Sequence, residues 1–204
     1  MPIPLSYQIS EFDCGPVCML NALNVLFDRR KIHPCLIKAI YQFSLDCVDT
    51  RGYVGKRGTS GAAVRFVSTW MNDYAKRCNF PIRCTALPQK DICLTPDSPL
   101  VQAVQQGAVA LVRCRLCVEH YVLITGIRDG WVELWDPYHI ENPIRKKTIR
   151  MVEDHPYRYN RLVSFSQMNG TGNGYYHLGP IDQRECTLFY NTENETAAPA
   201  PTDP

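Results

Sequence analysis

Three residues that activate one another chemically lie far apart in this chain. Cys14 stands in Gln8-Ile-Ser-Glu-Phe-Asp-Cys14-Gly-Pro, His120 opens the run His120-Tyr-Val-Leu-Ile-Thr-Gly, and Asp136 follows Trp131-Val-Glu-Leu-Trp135 and precedes Pro137. A thiol is a useful nucleophile only as thiolate, and a helix N-terminus beside a histidine is an environment that brings thiol pKa values from about 8.5 into the range of roughly 3.5 to 7.5. The histidine in turn needs a third group to fix its tautomer, a role open to Asp136 if it lies beside His120. Gln8, six residues before Cys14, completes the set. Its side-chain N–H is expected to face a developing oxyanion, with the Cys14 backbone N–H as the second donor. The chemistry expected of these four residues is thiolate attack on an amide carbonyl, followed by hydrolysis of a thioester.

The elements that must position them are legible in outline. Asp13 before Cys14-Gly15-Pro16 predicts a helix start, because Asp caps free N–H groups and Pro is tolerated in the first turn. Met19, Leu23, Leu26 and Phe27 recur at helical spacing, which gives that helix a buried face and sets Cys14 at its N-terminus. A second helix is predicted from Pro34 to Phe43. A third begins at Gly58-Thr59-Ser60-Gly61 and carries Ala63, Val67, Trp70, Met71 and Tyr74 on one face. The first 78 residues are thus mainly helical, and the texture then changes. Ile82 to Leu87 reads as a strand, Ser98 to Gln106 as a short helix and Ala108 to Arg115 as a strand. The runs from His120 to Ile127 and from Trp131 to Trp135 are joined by Arg128-Asp-Gly130, a hairpin signal. In an antiparallel hairpin the start of the first strand lies beside the end of the second, which brings His120 and Asp136 together.

Residues 138–160 read as an irregular excursion carrying Arg145-Lys-Lys147 and Arg150, followed by a strand from Leu162 to Ser166. Asn169-Gly-Thr-Gly-Asn-Gly174 predicts a flexible loop, Tyr175 to Leu178 and Cys186 to Tyr190 two further strands, and the composition from Thr192 onward a disordered tail. The expected organisation is one domain over residues 1–191 and a tail over 192–204. Its expected class is α+β, a helical part headed by Cys14 packed on an antiparallel sheet that carries His120 and Asp136, with a cleft between.

Composition narrows the partners. Lys plus Arg (22) nearly balances Asp plus Glu (20), giving a net charge of +2 over 204 residues, so no bulk charge points to nucleic acid or an anionic membrane. No apolar run approaches a membrane span and the N-terminus lacks the layout of a secretory signal, which predicts a cytoplasmic chain without membrane attachment. Its ten cysteines are then expected to stay reduced, most as small buried hydrophobes. Cys114-x-x-Cys117 followed by His120 has metal-ligand residue types, but on a strand residues 114 and 117 point to opposite faces and no second such pair exists. No metal and no cofactor is expected. Cys18 lies one helical turn from Cys14, as a core neighbour or, in the lesser reading, a redox partner. The Arg145 to Arg150 cluster reads as a solvated loop face, with guidance of an acidic substrate toward the cleft as the alternative, and the glycine loop lacks the lysine and the strand–loop–helix setting of a phosphate-binding loop.

Taken together, Gln-x4-Asp-Cys-Gly-Pro-x-Cys from Gln8, His120-Tyr-Val-Leu-Ile-Thr-Gly and Trp135-Asp136-Pro137 closely resemble the papain-like bacteriocin-processing, or double-glycine leader, cysteine peptidases and their free-standing relatives. The resemblance runs from about Gln8 to Pro137. It implies a papain-like fold, with Gln8 in the oxyanion hole, Cys14 as nucleophile, His120 as base and Asp136 as its partner. It implies a peptide or protein substrate and leaves the oligomeric state open. Glu119 stands where that family commonly has a small residue, a departure expected to narrow the cleft or to hold the imidazolium. With no transporter domain attached and residues 137–191 following the aspartate, the expected substrate differs from an exported bacteriocin precursor. The same residues would serve an acyltransferase or transglutaminase-like enzyme if water were excluded, and the fold without turnover would serve as a peptide-binding domain.

Overall fold

The computed structural model describes residues 3–195. Helices come first in the chain and pack on a seven-stranded antiparallel sheet, an α+β arrangement. The first three helices are α1 (Cys14–Leu26), α2 (Pro34–Ser44) and α3 (Gly61–Cys78). Their starts follow from side chains that occupy orphan N–H groups. The His33 ring accepts from the Cys35 N–H at 3.2 Å, with Pro34 in the first turn of α2. Ser60 Oγ accepts from the Ala63 N–H at 3.1 Å to open α3, which closes on Asn79 in the left-handed conformation at φ 49.

The remaining elements are β1 (Ile82–Ala86), α4 (Pro99–Gln105), β2 (Val109–Leu116), β3 (Val118–Arg128), β4 (Trp131–Trp135), β5 (Ile149–Met151), β6 (Arg161–Ser164), α5 (Phe165–Met168), β7 (Cys186–Asn191) and α6 (Thr192–Glu195). The strands lie in the order β1-β7-β2-β3-β4-β6-β5. Alternation along the central strands feeds two apolar layers. Leu111, Tyr121, Leu123, Trp135 and Phe189 meet Cys18, Met19 and Leu23 of α1 and Met71 of α3, while Val112, Val122, Ile124, Leu134 and Leu188 share a cluster with Leu100 and Val104 of α4. Each Leu or Ile so buried contributes roughly 1.5–3 kcal/mol.

The β3–β4 turn has the backbone its sequence requires. Asp129 (φ 48) and Gly130 (φ 77) both take positive φ, the requirement of the two-residue turn whose twist matches the flanking strands.

Four expectations are corrected. Tyr175 to Leu178 is not a strand. The Tyr176 N–H bonds the Arg115 carbonyl and the Arg115 N–H the His177 carbonyl, but Tyr176 takes φ 60, which breaks the pleat between them. The strand expected to reach Ser166 stops at Ser164, whose hydroxyl accepts from the Gln167 N–H at 3.2 Å and so starts α5. The excursion over 138–160 contains β5, paired to β6. Thr192–Glu195 is a helical turn rather than part of a disordered tail, and the rest of that expected tail, 196–204, lies outside the described residues. Among the described residues no helix is long and apolar enough to cross a membrane.

Candidate active site

Cys14 heads α1 and is buried, and the segment before it is bound from several sides. Asn21 of α1 accepts the Ser6 N–H and donates back to the Ser6 carbonyl, which also accepts from the Trp135 indole at 3.1 Å. The Gln8 N–H donates to the Pro137 carbonyl at 2.9 Å, one residue past Asp136. Asp13 is not the side-chain cap its position predicts. Its buried carboxylate turns back and accepts the Ile9 N–H (3.1 Å), the Ser10 N–H (2.8 Å) and the Ser10 hydroxyl (2.8 Å). Three donors in that tight loop outbid the helix N–H groups, and the result is a fixed mount for Gln8. Gly15 next to the thiol allows a second close approach, since a Cβ there would lie 2.5 Å from Thr59 Oγ1.

The β3–β4 hairpin brings the other two groups together. Leu123 pairs with Trp135 and Ile124 with Leu134, so Asp136, one residue past the end of β4, lies near the start of β3. His120 Nε2 and Asp136 Oδ1 are 2.8 Å apart, and Asp136 is fully buried. The other imidazole nitrogen is left free of Asp136, and Cys14 lines the same cleft as the ring. Burial opposes charging of His120, but the Asp136 charge, its hydrogen bond and then Cys14 outweigh it and push the imidazole up to about 10. Asp136 is held below its ordinary value. Burial works against that, and the His120 charge and hydrogen bond, the Tyr176 hydroxyl and the Tyr138 N–H overcome it.

The residues supporting Asp136 have no signal in the sequence. Tyr176 donates its hydroxyl to Asp136 Oδ2 at 2.7 Å, and Arg161 Nε donates to that hydroxyl at 3.3 Å. The Tyr138 N–H donates to Oδ1 at 2.8 Å. Asn160 brackets the Asp136 main chain, accepting its N–H and donating to its carbonyl, each at 2.8 Å.

Gln8, Cys14 and His120 line one open cleft of about 1180 Å³ together with Thr59, Glu119 and Tyr138. Gln8 Nε2 donates one hydrogen to the Ser10 carbonyl at 2.7 Å and retains a second, while its Oε1 is buried without a partner. Glu119 does line the cleft but does not hold the imidazolium. Alternation sets it on the strand face opposite His120, where Arg113 (3.1 Å) and Arg115 (3.2 Å) take its carboxylate. Cys18 is fully buried, donates to the Tyr121 carbonyl at 3.4 Å, and has its thiol pushed up by burial. Cys114 lies buried in β2 across from His120, and Cys117 sits exposed in the β2–β3 turn at φ 66. Among the described residues no three His, Cys, Asp or Glu side chains are grouped to hold a metal ion.

No protein-family model and no curated protein matches the chain. The site therefore rests on its own geometry. A thiol that shares a cleft with an imidazole oriented by a buried carboxylate is equipped to attack a carbonyl carbon and to pass a proton to a leaving amine.

Proposed function

We propose that the protein is a papain-like cysteine peptidase that hydrolyses a peptide or amide bond through a thioester on Cys14. The observation that carries this is the buried hydrogen bond between His120 and Asp136 at 2.8 Å, with Cys14 and His120 lining the same cleft. A helix headed by the thiol and packed on an antiparallel sheet that holds the imidazole and carboxylate supports the papain-like assignment. All ten cysteines are free, in keeping with a reducing compartment such as the cytoplasm.

In the proposed reaction the Cys14 thiolate forms a bond to the carbonyl carbon and the π electron pair moves to oxygen. The Cys14 N–H and the free hydrogen on Gln8 Nε2 stabilise that oxyanion. As the C–N bond breaks, the His120 imidazolium gives its proton to the leaving amine. Neutral His120 then takes a proton from water, whose oxygen attacks the thioester and releases the acid and the thiolate. Limiting iodoacetamide in mildly acidic buffer, with the label located by mass spectrometry, tests the nucleophile. Cys14 is expected to be alkylated first and to lose that advantage in His120→Ala. Labelling of Cys14 no faster than the other cysteines overturns the proposal.

A further inference from the structure

We infer that the cleft selects acidic peptides, a substrate class that rests on the peptidase reading above. The charged side chains lining it are five basic (Lys56, Arg57, Arg113, Arg145, Lys146) against two acidic (Glu11, Glu119). That local excess is larger than the +2 carried by the entire chain. Positive charge is therefore gathered at the cleft, where low-dielectric walls focus its field.

Four of these cations are uncommitted. Glu119 is taken by Arg113 and Arg115, and Arg113 also reaches Glu185 at 3.2 Å. Among the described residues Lys56, Arg57, Arg145 and Lys146 have no carboxylate within ion-pair distance. Lys56 lies 5.0 Å from the Tyr53 ring centre and Lys146 5.8 Å from that of Tyr175. Both pairs sit on anchored loops. The Cys47 N–H holds the Gly58 carbonyl and the Gly55 N–H the Cys47 carbonyl, while the Lys146 carbonyl accepts from the Ile149 N–H at 3.1 Å.

A peptide rather than a nucleic acid strand is the ligand that follows from the peptidase reading, because its main chain carries the amide bond that Cys14 would attack. Each exposed charge pair contributes little alone. The selectivity is therefore cumulative, and sensitive to salt.

The test uses three fluorescein-labelled peptides of one sequence in which the variable positions are all Glu, all Gln or all Lys. Binding is read by fluorescence anisotropy to the full chain carrying Cys14→Ala, and cleavage by the wild type. The Glu peptide is expected to bind roughly tenfold tighter than its Gln counterpart, about 1.4 kcal/mol, and to lose that margin in high salt or in the Arg57→Glu, Arg145→Glu double variant. Equal affinity for all three peptides overturns the inference, whether or not the wild type cleaves them. Acidic preference in binding without cleavage supports it and counts against the peptidase instead. Full displacement of the Glu peptide by a single-stranded oligonucleotide of equal charge overturns the assignment to peptides.

Discussion

Asp136 is engaged on both oxygens, with His120 and the Tyr138 N–H on one and Tyr176 on the other. Its value to the proposed reaction lies in orienting an imidazole, not in moving a proton. Asp136→Asn keeps the shape and removes the charge, and is expected to lower kcat by about 10²–10⁴ with KM little changed, measured on any cleaved peptide. Tyr176 is a positioning residue by the same logic. Tyr176→Phe leaves a buried carboxylate oxygen short of a donor, an expected loss of about 1–3 kcal/mol in urea unfolding. Because the hydroxyl holds Asp136 below its ordinary value, its removal should also move the acidic limb of kcat/KM to higher pH, a shift that a purely structural role would not produce. Tyr176 could not be read from the sequence. Two adjacent tyrosines after a glycine run look like the start of a strand, and only the positive φ at Tyr176, together with β4 from forty residues away, turns that ring toward Asp136.

At the scale of elements, what was legible was whatever local chemistry decides. The start of α1, the caps of α2 and α3 and the Asp129-Gly130 turn each depend on a few neighbouring residues, and the hairpin register then sets His120 beside Asp136. Asp13 was misread because the cap rule counts only the helix N–H groups and not the competing donors at Ile9 and Ser10. The packing of the glycine loop cannot be read from the sequence because its partner is local only in three dimensions. Gly170 and Gly174 lie against the His177 ring, where a Cβ at either would come within 2.4 Å of a ring nitrogen. Gly15 carries the corresponding prediction for the site. Gly15→Ala forces a methyl group into Thr59, between the head of α1 and the loop before α3. It should destabilise the protein by about 1–3 kcal/mol, read as a lower urea midpoint at unchanged slope. Thr59→Ala in the same chain should restore only part of the loss, because it removes the hydroxyl but leaves the Thr59 Cβ 2.7 Å from the added methyl.

Across the whole molecule, the site joins a thiol from the helical layer to an imidazole and a carboxylate from the sheet, so its charge state is also a term in folding. His120 is raised from its ordinary 6.5 to about 10. The stabilisation that its proton provides is therefore fully present below 6.5 and is lost as pH rises through about 10. Asp136 is shifted the other way, so its share is present above the ordinary carboxylate range and is lost as pH falls through its lowered value. The contribution is flat only between the ordinary carboxylate range and 6.5; above 6.5 the imidazole's share declines although the folded pair stays charged up to about 10. Tyrosines, lysines and other thiols titrate in the same alkaline range, which makes the wild-type curve alone ambiguous. The difference in unfolding free energy between wild type and His120→Asn removes those common groups. That difference should favour the wild type near neutrality and shrink steadily through about pH 10. A difference that stays constant from neutral pH to beyond that point would mean that no imidazolium is held between Cys14 and Asp136, and the acid that protonates the leaving amine would have to be sought elsewhere in the cleft.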